Sequence, residues 1–108
     1  MLLLTTVRSV VIQSNMKAQL LQRSRTEIGE SAFYEVVVWH LPEPVPGSSH
    51  PFKYRLALAV NGECVLRYDN ERGKGDHRRI KGREEPIAFT SLSALLAAFK
   101  ADAERILQ

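Results

Sequence analysis

The chain has 108 residues and 12.2 kDa, with 44% apolar and 25% charged residues, a single Cys and a net charge of +3. That length gives one domain, and the composition is that of a folded globule rather than a disordered chain. One Cys excludes an internal disulfide framework and a cysteine-only zinc site, no window reaches the roughly 18 consecutive apolar residues that span a bilayer, and +3 alone does not mark a nucleic-acid binder.

Residues 1–15 place Arg8 after the leucines and show no small-residue cleavage site, which argues against a secretory signal. Met16 offers a second start, so these residues read as an extension ahead of a single domain spanning 16–108. Lys17 to Ile28 is weakly strand-like, and Gly29-Glu30-Ser31 reads as a turn. Ala32 to His40 carries Phe33, Tyr34, Val36, Val37, Val38 and Trp39, apolar on both faces, as a central strand covered on two sides would be. Pro42, Pro44, Pro46 and Gly47 end it as a rigid connector.

Lys53 to Val60 alternates, with Tyr54, Leu56, Leu58 and Val60 on one face and Lys53, Arg55, Ala57 and Ala59 on the other. Asn61-Gly62 follows, and both residues suit the positive φ of a two-residue hairpin turn. An unbroken register from that turn sets Leu58 against Val65, Arg55 against Tyr68 and Lys53 against Asn70. The small Ala57 and Ala59 would let a helix approach closely. Cys64 reads as a buried small residue.

Seven cations lie between Arg67 and Arg83, opposed only by Asp69, Glu71 and Asp76, so this stretch carries +4 and the other 91 residues −1. It reads either as a solvated loop or as a phosphate-binding segment leaving the cationic end of the hairpin. Pro86 to Phe89 is predicted as a short last strand. Thr90 or Ser91 is a suitable N-cap, and Leu92, Leu95, Leu96, Phe99, Ala103 and Ile106 recur at helical spacing. The predicted fold is α+β: an antiparallel sheet of four to five strands with a C-terminal helix packed on it.

Several runs are familiar together: Trp39 and Pro42-Glu43-Pro44-Val45-Pro46-Gly47-Ser48, then His50 and Phe52-Lys53-Tyr54-Arg55-Leu56. With Val65-Leu66-Arg67-Tyr68-Asp69-Asn70-Glu71 and Gly73-Lys74-Gly75-Asp76-His77, the sequence from about Met16 onward resembles the TumE family of toxin–antitoxin proteins. The resemblance implies a small cytoplasmic bacterial toxin restrained by a helix-turn-helix antitoxin. Members often carry His-x-His where this chain has His77-Arg78-Arg79, and the Arg at the second position weighs against a metal or a two-histidine site.

The residues suit RNA binding with endoribonuclease cleavage without a metal. Arg55, Arg67 and Arg79 would hold the scissile phosphate, Asp69 would act as base toward the 2′-hydroxyl and His77 as acid toward the leaving oxygen. Tyr68 would stack a base, and Lys53, Asn70, Lys74 and Arg78 would add contacts. His77, Asp76 and Asp69 lack metal-ligand spacing, so no metal or other cofactor is expected. The same residues admit a structural reading, with Asp69 and Asn70 capping a strand end and His77 exposed in a loop. The competing functional class is a non-catalytic module that binds nucleic acid or protein and pairs with the antitoxin; a homodimer is compatible with either.

Overall fold

A computed structural model describes residues 17–108, so the expected extension over residues 1–15 lies outside the described residues. Six strands form one antiparallel meander in chain order: β1 Gln19–Ile28, β2 Ala32–His40, β3 Phe52–Val60, β4 Glu63–Glu71, β5 Gly75–Ile80 and β6 Arg83–Pro86. Helix α1, Leu92–Leu107, follows and lies against β4. The α+β architecture is as predicted, with six strands rather than four to five.

The added strands come from the basic segment, which is a hairpin and not a solvated loop. Lys81 and Gly82 form its two-residue turn at φ +52° and +81°, the same geometry as Asn61 and Gly62. Lys pays about 1–2 kcal/mol for that left-handed backbone, which is why Lys-Gly is a weaker turn signal than Asn-Gly. The last strand accordingly ends at Pro86 rather than running from Pro86 to Phe89.

One face of the sheet holds the core. Val36 and Val38 of β2, Tyr54, Leu56 and Leu58 of β3, and Leu66 and Tyr68 of β4 pack on Leu95, Phe99 and Ala103 of α1. The Phe99 ring is fully buried and meets Tyr34 and Tyr68 edge-on, with centroids 6.0 and 5.5 Å away. Ser91 caps the helix, its hydroxyl accepting from the Ala94 amide at 3.1 Å. The helix thus covers the Tyr54/Leu56/Leu58 face, and the small Ala57 and Ala59 lie on the opposite one. The outer face of β2 is not covered as expected, since Phe33, Val37 and Trp39 remain half-exposed there.

Pairing departs from the expected register at one point. Val60 meets Glu63 and Ala59 meets Cys64, but Leu58 then meets Leu66, leaving Val65 as the extra residue of a β-bulge. A one-residue slip exchanges the two faces of a strand. Tyr68 therefore stands opposite Leu56 in the core, and Arg55 stands opposite Asp69 on the outer face. Cys64, beside the bulge, is exposed rather than buried.

Candidate functional site

The outer face brings together most of the residues singled out above. Strict alternation places Lys53 and Arg55 of β3, Arg67, Asp69 and Glu71 of β4, and His77 and Arg79 of β5 on it. The ladders set Arg55 against Asp69, Asp69 against His77 and Arg67 against Arg79, so arginines surround the Asp69–His77 pair. Glu84 of β6 pairs with Arg79 and completes the group.

His77 is no exposed loop residue, with only 4% of its surface accessible. Its Nε2 lies 2.7 Å from Asp69 Oδ1, 3.0 Å from Glu84 Oε2 and 3.9 Å from Glu71 Oε1. Its Nδ1 is 3.1 Å from the Gly75 carbonyl oxygen, which can only accept, so Nδ1 carries the proton in that bond. Arg67 Nε approaches the other Asp69 oxygen at 3.3 Å, and Lys74 Nζ stands 3.6 Å from Glu84 and 3.9 Å from Glu71. Among the described residues, Asp69, Glu71 and His77 can present one ligand atom each, all within 4.8 Å of one another, and so could hold a metal.

Two clefts flank this centre. One, of about 150 Å³, is lined by Val37, Trp39, Lys53, Tyr54, Arg55 and Asp69. The other, of about 320 Å³, is lined by Lys74, His77, Glu84, Glu85 and Pro86. Of the two aromatic residues at the first cleft, Trp39 is the one on the outer face, since Tyr54 belongs to the core. The inclusion of Trp39 in an apolar run hid this position, whereas its pairing with Lys53 on an outer-face row shows it.

Three expected contact residues lie elsewhere. Tyr68 is 2% exposed on the core face, and its hydroxyl donates to buried Asp102 of α1, so it offers no ring face to a base. Burial, with the Asp102 hydrogen bond second, pushes its phenol up to about 12. Arg78, also on the core side, donates to Asp102 at 2.7 Å and Glu85 at 2.6 Å. Hydrogen bonding to Tyr68 and then Glu85 holds its guanidinium above the ordinary range. Asn70 is fully buried and structural: its side chain accepts from the Tyr54 amide and donates to the Phe52 carbonyl and the Ser48 hydroxyl. Lys53 donates to the Asn70 carbonyl from the outer face.

Asp76, weighed with His77 as a ligand, belongs to another cluster. Its Oδ1 takes Tyr54 Oη at 2.6 Å and His50 Nε2 at 2.8 Å, while the His50 ring stacks on Phe89 with centroids 3.7 Å apart. Burial first, and the Asp76 bond second, raise the Tyr54 phenol well above its ordinary value. This cluster ties the proline connector to the sheet. At its outer end Gly73 donates to the Pro46 carbonyl at 2.7 Å, and a Cβ on Gly75 would come within 2.9 Å of the Gly47 oxygen.

A family model described as Toxin TumE matches residues 3–107. The chain belongs to the TumE toxin family. This TumE protein is therefore the toxin of a toxin–antitoxin system and has an antitoxin partner. No curated protein and no solved structure matches it. Among the described residues, no helix is long and apolar enough to cross a membrane.

Proposed function

We propose that this toxin acts on RNA in the cytoplasm as an endoribonuclease, through the outer face of its sheet, with the Asp69–His77 pair as the reactive centre. The observation that carries the reading is the 2.7 Å approach of these two side chains within a set of arginines, Arg55, Arg67 and Arg79. Guanidinium groups match phosphate geometry and stabilise charge that develops on it during transfer. Trp39, beside Lys53 and Arg55 in the first cleft, supplies the stacking surface that Tyr68 does not.

A helix-turn-helix antitoxin would restrain the toxin by covering this face. Strand β6 is a sheet edge with every residue exposed, and it runs beside His77, so a partner segment pairing along it would close the second cleft.

Induced expression without antitoxin tests the reading. The wild-type chain should arrest growth, and His77→Ala at the same soluble level should not. Undiminished arrest by a folded His77→Ala protein would overturn the assignment of the centre.

A further inference from the structure

The Gly75 carbonyl takes the Nδ1 proton of His77, which leaves Nε2 turned toward the outer-face carboxylates. Around that nitrogen stand carboxylate oxygens of Asp69 at 2.7 Å and Glu84 at 3.0 Å, with Glu71 at 3.9 Å. Electron-rich atoms packed so closely repel one another unless positive charge stands between them. Neither His77 Nε2 nor Asp69 Oδ1 has an aligned hydrogen-bond partner, although both are buried. The oxygens flank the ring nitrogen off its axis.

We infer that Asp69, Glu71 and His77 form a binding site for one divalent transition-metal cation of the Mn²⁺ or Zn²⁺ type, with Glu84, 3.0 Å from the same His77 nitrogen, turning in as a further ligand. Off-axis oxygens are where the neighbouring ligands of a shared cation stand, since the ion itself takes the lone-pair direction. With metal–ligand distances of about 2.0–2.2 Å, adjacent ligand atoms fall roughly 3–3.5 Å apart, and the separations here lie on both sides of that range. One imidazole with carboxylates suits these ions better than Mg²⁺ or Ca²⁺, which favour oxygen ligands alone. The hydrogen bond from Nδ1 to a backbone carbonyl is the support that a ligating His ordinarily receives from its second ring nitrogen.

Access and charge agree. Glu71 and Glu84 side chains are 45% and 31% exposed, and the second cleft opens between Lys74 and His77, giving the ion a path to a His that is itself buried. Lys74, between Glu71 and Glu84 at the mouth, offsets their charge and would move aside on loading. The pattern of residue types concealed the site, because Glu84 arrives from a strand that the sequence did not predict. The inference revises the expectation of a metal-free protein. It rests on the RNA reading only for what the ion would do there, namely add positive charge beside the bound phosphate; the site itself stands on its geometry.

Titration calorimetry of the full chain, stripped with chelator and free of RNA, tests it with MnCl₂ and ZnCl₂ in separate runs. At least one of these ions should bind at one per chain and raise the melting temperature. His77→Ala and Glu84→Gln should each weaken binding at least tenfold, and Glu35→Gln, on the same face but outside the cluster, should not. Glu84→Gln lies on an exposed edge strand, so it reports even where His77→Ala disturbs folding. Failure of both ions to bind, or wild-type affinity in Glu84→Gln, would overturn the site. Binding as expected by a protein that leaves RNA intact would uphold the site and remove only the RNA reading.

Discussion

Arg55 stands directly across the β3–β4 ladder from Asp69, and the bulge at Val65 puts it there. Without the extra residue being absorbed, Tyr68 would turn outward and Asp69 would turn into the core. Deleting Val65 removes the bulge while keeping Leu58 against Leu66 and every pair beyond it. The shortened chain should lose about 1 kcal/mol, from the side chain packed against the core, and should still arrest growth. Urea unfolding and the growth assay measure the two; loss of arrest would show that the bulge itself shapes the site.

Trp39 is the only Trp in the chain, so its fluorescence reports on the first cleft alone. Single-stranded RNA should quench its emission, and Trp39→Ala should weaken RNA binding by about 1–3 kcal/mol, the range for stacking one base. Tyr68→Phe, buried on the opposite face, should leave RNA affinity unchanged.

Asp102 fastens α1 to the sheet. It is buried, and it accepts hydrogen bonds from Tyr68, Arg78 and Arg105. Asp102→Ala should cost about 3 kcal/mol by leaving a guanidinium and a hydroxyl without their shared acceptor. The loss is read as a lower urea midpoint.

Alkali should destabilise the protein through its buried tyrosines. The phenol of Tyr68 is pushed up to about 12 by burial and Asp102, and that of Tyr54 is raised as well. The folded state therefore keeps these protons while the unfolded state gives them up. Their contribution is complete below pH 10 and is lost as pH rises toward 12, each group adding about 1.4 kcal/mol per pH unit between those limits. Tyr68→Phe should flatten the fall in stability measured by urea unfolding between pH 10 and 11.5.

Alternation in β3, the Asn61-Gly62 turn and the stripe from Leu92 to Ile106 made those elements legible, because each is a local rule obeyed locally. Two features were not. The bulge at Val65 satisfies the core, which wants Leu66 and Tyr68 on the face of Leu56 and Leu58, and that demand is tertiary. The β5–β6 hairpin turns on Lys81-Gly82, where Lys adopts a backbone that its side chain disfavours, so nothing local announces it. Reading this stretch as a loop kept Asp69 and His77 among the candidates but separated them from Glu71 and Glu84. Alternation continued through Arg67-Asp69-Glu71 and Gly75-His77-Arg79 would have placed the first three on one face.

Cleavage of RNA at the Asp69–His77 centre is read most directly from end-labelled single-stranded RNA incubated with the purified chain in the presence of Mn²⁺. Wild-type protein should generate discrete products, while folded His77→Ala and Asp69→Asn proteins should bind the RNA without cutting it. Arg79→Ala should lower the slope of log affinity against log salt by about 1. A salt-dependent shift with no products from the wild-type chain would contradict the account and identify a toxin that acts by binding alone.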